Sequence, residues 1–293
     1  MKEESDFKNV TIIGCGLIGG SIGLALKKND RSLTVFGVDR AEFLAKALHS
    51  GAIDQGSEYI EEGVKGADIV ILATPIKEII SLLTKLKLWL PANCLLTDTG
   101  STKMAIMAEA EQIFSDKFDF IGGHPLAGLE KGGIANASAD LFVGKPYLVI
   151  PKKGNSSSAH KKMSSLISRI GAVELKMDAS EHDCVVALVS HLPQLIAVIM
   201  SNMLGLLVKK NNNDQYFKIS GNVFQEITRV ATSPFNIWKD IYQTNGKFTI
   251  DFIVELEDWL DKIKEKIAHN PADLEEDFER AKYFKEKMLK MTG

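Results

Sequence analysis

The chain has 293 residues, of which 45% are hydrophobic and 25% are charged, and its formal net charge is −3. A globular chain of this length is about twice the usual size of one domain, so we expect two domains. It lacks a visible cluster of Lys and Arg of the kind that binds phosphate backbones, which argues against a nucleic-acid partner. Its three scattered cysteines are too few for a disulfide framework or a structural zinc site, so we expect no metal and a reducing cytoplasm.

The first residues are acidic and polar, which does not match a secretory signal. The most apolar stretch, residues 185–208, is long enough to cross a bilayer. It contains polar residues such as His191, Gln194 and Asn202, each of which would cost kilocalories in lipid. We therefore expect a buried helix and no membrane partner.

Short apolar runs alternate with helical patterns over the first 176 residues. Predicted strands occupy residues 10–13, 33–38, 69–73, 94–97, 118–122, 147–150 and 173–176. Predicted helices occupy residues 17–28, 40–50, 76–86, 102–114 and 163–170. A connection between parallel strands must be long enough to hold a helix, so this alternation predicts an α/β fold with a parallel sheet.

The strand pattern ends near residue 177, and the remainder is predicted to be all-helical. Ser180 followed by Asp183 resembles a capping box that starts a long helix through residue 208. Near the C-terminus, Asn270 caps a last helix, with Pro271 at its first position. A domain of roughly a hundred residues covers a long apolar helix poorly. We therefore expect burial of this helix between the two subunits of a homodimer.

A G-x-G-x-x-G motif formed by Gly14, Gly16 and Gly19 lies between the first strand and the first helix. Asp39 ends the second strand about 20 residues later, which is the context of a dinucleotide-binding Rossmann domain. The glycines permit a tight turn and a close approach of the backbone to a pyrophosphate, which then faces the helix N-terminus. Glycines used only for a turn would leave the spacing of Asp39 unexplained. We predict a Rossmann domain over residues 1–177 and a helical substrate and dimerisation domain over residues 178–293.

Asp39 can accept hydrogen bonds from both ribose hydroxyls of NAD, whereas a 2′-phosphate would meet its negative charge. NAD is therefore favoured, although Arg40 leaves NADP open because it can pair with that phosphate or stack on adenine. Three residues at the carboxyl edge of the third strand either lie near the cofactor or form an ordinary turn. Two residues of the glycine turn are also predicted to bind the cofactor. Together the five residues are Leu17, Ile18, Ala73, Thr74 and Pro75.

Five segments in order resemble the prephenate and arogenate dehydrogenase family, from about residue 9 to residue 245. They are GCGLIGGS at 14–21, TDTGSTK at 97–103, GGHPLAG at 122–128, HD at 182–183 with SHLP at 190–193, and TRVATSP at 228–234. The resemblance implies NAD-dependent oxidative decarboxylation of a cyclohexadienol. Hydride leaves the carbinol carbon for the nicotinamide, carbon dioxide leaves the opposite ring carbon, and a phenol forms. With prephenate the product is 4-hydroxyphenylpyruvate, a step of tyrosine biosynthesis.

Three residues suit this chemistry. His124 follows a predicted strand at the ligand edge, and by resemblance it is the catalytic base that accepts the hydroxyl proton. Ser101 either hydrogen-bonds His124 and the substrate oxygen or simply caps a helix. Arg229 matches the family's Arg that clamps a substrate carboxylate, and a surface salt bridge is its alternative role.

Further residues are assigned to substrate binding by the same resemblance. His191 lies in an apolar helix, where it is either a ligand of the substrate or a hydrogen-bonded core histidine. Glu130 matches a family acidic residue near the pocket, and Trp238 matches a family aromatic residue. His182 and Asp183 are interpreted as helix-start residues rather than catalytic ones.

Gln194 stands where the family commonly has His, and Leu129 stands where a small polar residue is common. Gln cannot carry a positive charge, so the substrate preference of the enzyme stays open. It can be prephenate, arogenate, or both, as in a cyclohexadienyl dehydrogenase. One rival is a β-hydroxyacid dehydrogenase, but the Gly-rich Lys-x-x-Asn segment of that family does not occur here. Another is a non-catalytic NAD-sensing module, which would not need His124, Ser101 and Arg229 together.

Overall fold

A computed structural model describes residues 6–114, 118–128 and 131–292. The chain divides into two compact units, Met1–Gly246 and Lys247–Gly293. The first unit contains an eight-stranded sheet, helices on both of its faces, and a helical segment that follows the last strand. The second unit is helical.

The sheet has the strand order β3-β2-β1-β4-β5-β6-β7-β8. Its strands are β1 (Asn9–Ile13), β2 (Thr34–Val38), β3 (Gln55–Ser57), β4 (Ile69–Leu72), β5 (Leu95–Asp98), β6 (Asp119–Pro125), β7 (Pro146–Pro151) and β8 (Val173–Lys176). The order reverses between β1 and β4, and sheets of this type bind ligands in the crevice at the carboxyl ends of such strands. The predicted α/β class is confirmed.

One pair of strands departs from the predicted parallel sheet. β6 and β7 are antiparallel, with His124 opposite Leu148. The described part of their connection contains a short 3₁₀ turn, Ile134–Asn136, instead of a crossover helix. An antiparallel neighbour needs no crossover, so the alternation of elements could not predict this pair. Strand β3, with the sequence QGS, was not predicted because it lacks β-branched residues.

Helices pack on both faces of the sheet. They are α1 (Leu17–Asn29), α2 (Ala41–His49), α3 (Ile60–Gly63), α4 (Ile76–Leu86), α5 (Met104–Phe114) and α6 (Ser157–Arg169). Helix α6 begins earlier than predicted because the Ser156 hydroxyl accepts a hydrogen bond from Ala159 N, at 3.1 Å, and caps it.

The central strands are apolar on both faces. Ile69 and Ile71 of β4 belong to the core on the side of α1 and α6, whereas Val70 and Leu72 belong to the core on the side of α4 and α5. Burial on both faces is typical of parallel strands, which read as continuous apolar runs. This packing holds the carboxyl ends of the strands in place, and the candidate site lies at that edge.

A long helical segment, Ala179–Asn211, follows the sheet. It consists of α7 (Ala179–Val186), a π turn (Ala187–His191) and α8 (Leu192–Asn211). The Leu192 N–H bonds to the Ala187 carbonyl, which is the wider spacing of a π turn. Such turns occur frequently at functional sites.

The predicted capping box at Ser180 and Asp183 is wrong. Asp178 caps α7 instead, because its side chain accepts a hydrogen bond from Glu181 N at 2.8 Å. Asp183 lies within α7 and caps a different helix, α5.

The segment Ala179–Asn211 is long and apolar enough to cross a membrane, and 33% of its most apolar window is buried within the chain. One such helix is weak evidence of a membrane span, because apolar helices of globular proteins meet the same criteria. Exposed side chains along it include Val189, Ile199, Met203 and Leu206. The single chain therefore presents an apolar helix face.

Four further helices follow α8, and a fifth ends the described part of the chain. They are α9 (Gln215–Lys218), α10 (Asn222–Thr228), α11 (Phe235–Thr244) and α12 (Gly246–His269), and a 3₁₀ turn, Pro271–Leu274, then leads to α13 (Glu275–Thr292). The Asn270 side chain accepts a hydrogen bond from Ala272 N, as predicted. In the second unit Lys266 also pairs with Asp277 at 2.6 Å.

Candidate active site

The glycine turn between β1 and α1 has the geometry that a dinucleotide requires. Gly14 has φ +100°, and a Cβ there would lie 2.6 Å from the Ala73 carbonyl oxygen. A Cβ on Gly19 would lie 2.0 Å from the Gly14 oxygen, so helix and strand pack too closely for a side chain. Gly16 faces open space, with no atom within 4 Å of the position of a Cβ. That space fits a pyrophosphate at the N-terminus of α1.

Asp39 is held at the edge of this turn by two backbone donors. Its carboxylate accepts hydrogen bonds from Cys15 N and Arg40 N, each at 2.8 Å. It lines a cavity of about 660 Å³ together with Gly14 and Gly16. Arg40 lines the same cavity with its guanidinium 4.7 Å from the Phe43 ring centroid. The carboxylate is thus oriented for ribose hydroxyls, and the site fits NAD.

Glu58 is a second carboxylate on this cavity that sequence reasoning missed. It accepts a hydrogen bond from Ala41 N at 3.0 Å. A 2′-phosphate would therefore meet two negative side chains, Asp39 and Glu58. No motif marks Glu58, because its place depends on how the loop before α3 folds against α2.

We expect Asp39→Ala to weaken NAD binding about 10- to 100-fold, because two hydrogen bonds to a charged group are lost. NADP binding should weaken less, because its phosphate gains from removal of the negative charge. Fluorescence titration with both nucleotides measures the change. Asp140→Ala is the control, since that carboxylate pairs with Lys28 at the surface. Unchanged selectivity would assign ribose recognition to another residue.

A second cavity, of about 620 Å³, adjoins the glycine turn on the side of β4 and β5. The cofactor-binding residues predicted here line it, namely Leu17, Ile18, Ala73, Thr74 and Pro75. Ser101 lies on its wall, beyond the end of β5. Helix α5 starts at Met104, and the cap at its N-terminus is the Asp183 carboxylate, which accepts from Lys103 N at 2.7 Å and from Met104 N at 2.9 Å. The position of Ser101 therefore favours a ligand role over a capping role.

His124 lies at the carboxyl end of β6 and contacts a second histidine. Its Nδ1 is 2.8 Å from His182 Nε2, and His182 Nδ1 is 2.7 Å from Asp183 Oδ1. His182 and Asp183 are fully buried. The interpretation of these two as helix-start residues was thus incomplete. They lie in the first helix after the sheet, but their side chains reach back to β6 and α5.

The direction of these hydrogen bonds follows from the chemistry of the groups. A carboxylate only accepts, so His182 Nδ1 carries the proton that is donated to Asp183. Neutral His182 must then accept at Nε2, which makes His124 Nδ1 a donor. The lone pair of His124 is therefore on Nε2. Burial, followed by the electrostatic effects of His182, Lys103 and His191, lowers the pKa of His124 well below its usual value, so the ring is a neutral base near pH 7.

Asn245, His191 and Trp238 connect Asp183 with another cavity through direct contacts. Asn245 Nδ2 donates to the Asp183 carbonyl oxygen at 2.7 Å and lies 3.3 Å from His191 Nδ1. The His191 ring packs edge to face on Trp238, with centroids 6.1 Å apart. His191 is buried and hydrogen-bonded, as its core interpretation required, yet it also backs an aromatic residue of the cavity wall.

That third cavity has a volume of about 550 Å³ and contains residues predicted to bind substrate. Arg229, Gln194 and Trp238 line it together, and Glu226 also lies on its wall. Arg229 begins a 3₁₀ turn after α10, and its side chain is exposed. Glu130 and Leu129 lie outside the described residues. The described residues contain no group of three or more His, Cys, Asp or Glu that could hold a metal ion.

The buried His191 predicts a pH dependence of stability. Burial lowers its pKa from the usual 6.5 to about 4. Between these values the unfolded chain binds the proton and the folded chain does not, so the free energy of unfolding should fall as the pH drops from 6.5 to 4, by at most about 3 kcal/mol. Urea titrations at several pH values measure this. His191→Asn should flatten the dependence, and an unaltered slope would contradict the assignment.

Two family models match the chain. The model described as prephenate dehydrogenase, nucleotide-binding domain, matches residues 22–176, and the model described as prephenate dehydrogenase, dimerization domain, matches residues 178–286. The chain belongs to the prephenate dehydrogenase family. The resemblance predicted from the five sequence segments is therefore confirmed.

Individual members of the prephenate dehydrogenase family match over most of the chain. It is similar to prephenate dehydrogenase of Bacillus subtilis (strain 168), with 34% identity over 90% of this chain and 71% of the relative. Cyclohexadienyl dehydrogenase of Zymomonas mobilis is 30% identical over 91% of each chain. The crystal structure of prephenate dehydrogenase from A. aeolicus with hydroxyphenyl propionate and NAD+ has a TM-score of 0.87 and 30% identity, covering 99% of this chain and 100% of that one.

Proposed function

We propose that this chain is an NAD-dependent prephenate dehydrogenase that forms 4-hydroxyphenylpyruvate and carbon dioxide in tyrosine biosynthesis. The observation that carries the proposal is the arrangement of His124, whose contact with His182 leaves Nε2 free to accept a proton. His124 lies at the end of β6, beside the end of β5. There Ser101 lines the cavity next to the glycine turn. A base beside a nicotinamide site suits oxidation of a carbinol.

Each residue has a distinct task in this reaction. NAD, when bound, supplies the hydride acceptor. His124 Nε2 takes the hydroxyl proton as the carbinol carbon loses hydride, and the Asp183 carboxylate stabilises the resulting positive charge through His182. Ser101 hydrogen-bonds the reacting oxygen. Arg229 clamps a substrate carboxylate through two parallel hydrogen bonds, and Trp238, which packs on the buried His191, forms the wall beside it.

The side chain of the substrate, a keto acid in prephenate and an amino acid in arogenate, binds in the cavity of Arg229 and Gln194. Gln194 is buried, and its Oε1 lacks a hydrogen-bond partner among the described residues. An amide can donate to a keto group through its nitrogen or accept from an ammonium group through its oxygen. Arogenate, or activity with both substrates as in a cyclohexadienyl dehydrogenase, is therefore the second candidate.

One assay separates these candidates. Reduced nicotinamide is followed by absorbance with prephenate or arogenate, each with NAD and with NADP. We expect the highest kcat/KM with prephenate and NAD. A higher kcat/KM with arogenate would replace the substrate proposed here, and turnover with neither would remove the function.

We further propose that the protein is cytoplasmic and forms a homodimer. We also propose that the Rossmann domain ends near residue 177 and that the helical domain follows it.

Two observations support the dimer. The exposed apolar face of Ala179–Asn211 can be covered by a second copy of the chain, and the chain matches a family model described as a dimerization domain. Analytical ultracentrifugation should give twice the mass of the chain. Met203→Glu should shift the mass towards that of the monomer, whereas Leu88→Glu, exposed beyond α4, should not. A wild-type monomer at micromolar concentration would contradict the dimer.

A further inference from the structure

A buried lysine contacts the backbone of the residue that precedes the proposed base, His124. The Lys103 side chain is fully buried, and its ammonium group forms an ion pair with Asp98. It also donates to the Gly123 carbonyl oxygen at 2.8 Å, in the residue before His124. The Asp98 carboxylate accepts hydrogen bonds from Gly100 N at 2.7 Å and Gly123 N at 3.2 Å. The ion pair thus joins the carboxyl ends of β5 and β6 through their backbones.

The backbone of Lys103 holds the other side of the same histidine. Its N–H donates to Asp183 Oδ1 at 2.7 Å, and that oxygen also lies 2.7 Å from His182 Nδ1. His182 in turn contacts the ring of His124. One residue therefore constrains His124 twice, through the peptide group that precedes it and through the hydrogen bonds that orient its ring.

Stability alone does not account for this ion pair. Asp98 and Lys103 are both fully buried, and removing two charges from water costs about as much as their attraction returns. Apolar residues of similar volume are often as stable or more so. What an ion pair adds is a defined geometry, because each hydrogen bond has a preferred length and direction.

The geometry points to Lys103 as a positioning residue for His124, acting with Asp98 to hold the ends of β5 and β6 in the arrangement that aims His124 Nε2 at the substrate. This inference rests on the proposed dehydrogenase reaction for its assay. Lys103 does not act on the reacting atoms. Its loss should therefore lower kcat and leave substrate KM and the NAD dissociation constant nearly unchanged.

The chain offers a matched control in Lys162. This residue of α6 is also buried, and its ammonium group donates to the carbonyl oxygens of Asn93, at 2.6 Å, and Asp68, at 3.3 Å. Those two residues precede β5 and β4. Lys162 therefore holds the amino ends of the strands, opposite the site, through hydrogen bonds from a buried ammonium group to backbone carbonyl oxygens.

The experiment compares Lys103→Met, the charge-neutral double variant Asp98→Asn with Lys103→Met, and Lys162→Met. The single variant leaves the Asp98 charge unpaired and can fail to fold. The double variant avoids this, because the asparagine side chain still accepts from Gly100 N. Melting temperature and circular dichroism check folding. Steady-state kinetics are normalised to the folded fraction measured by NAD titration.

We expect the double variant to lose about 100-fold in kcat, with KM and NAD affinity within about twofold of wild type, because a misplacement of about 1 Å has that effect. Lys162→Met should lose thermal stability and keep kcat per folded site. Wild-type kcat per folded site in the double variant would overturn the inference, and so would a rise in KM without loss of kcat. Failure of both Lys103 variants to fold would also overturn it, because the pair would then be a requirement of the fold. If wild type and Lys162→Met are inactive too, the proposed function fails instead.

Discussion

His124→Asn is expected to lower kcat by about 100- to 10,000-fold, the usual contribution of a general base, while NAD affinity stays nearly unchanged. The asparagine amide can still donate to His182 Nε2, so the surrounding hydrogen bonds are kept. It has no group that accepts a proton from the substrate. Stopped-flow and steady-state assays measure the loss, and nucleotide titration is the control. Near-normal turnover would remove His124 from the mechanism.

The same residue predicts a pH profile. Burial and the electrostatic effects of His182, Lys103 and His191 lower the pKa of His124, so its basic form persists at pH values where an ordinary histidine is protonated. The acidic limb of kcat/KM should therefore lie below pH 6.5, and it should be absent from the residual activity of His124→Asn. A limb at or above the usual pKa of histidine would contradict the assignment of a neutral imidazole to His124.

Arg229→Gln is expected to raise the substrate KM about 10- to 100-fold and to change kcat little. A guanidinium that clamps a carboxylate contributes two charge-assisted hydrogen bonds, whose loss costs about 1.5–3 kcal/mol. The interaction is made equally in the ground state and the transition state, so KM bears the effect. Arg31→Gln, an exposed arginine before β2, is the matched control. Loss of kcat with an unchanged KM would show that Arg229 does not clamp the carboxylate.

The cofactor site could be predicted from the sequence because its parts are close together along the chain. Gly14, Gly16 and Gly19 span a single turn, and their conformations are local properties of glycine. Asp39 follows one strand and helix later, at a spacing that the βαβ unit imposes. Glu58 escaped notice because it lies in a loop whose path the local pattern does not specify.

The candidate catalytic site could be derived from the sequence only in part. His124 lies at the end of β6 and Ser101 follows β5, and the carboxyl ends of these strands meet at one edge, but it was the resemblance to the family that assigned their roles. His182 lies 58 residues after His124, and their contact depends on how α7 packs against the sheet. Lys103 was noted only as the last residue of the TDTGSTK segment, since no pattern in a single sequence reports complete burial.

The sequence by itself determined the class of the fold, the glycine turn with Asp39, and the family, because these depend on residues a short distance apart and on the order of motifs. The tertiary structure alone decided the antiparallel pairing of β6 and β7, the capping of α5 by Asp183, and the hydrogen bonds that orient His124. The physical reason is that these contacts join residues far apart in the chain. Their partners are selected by packing over the whole sheet rather than by local conformational preference.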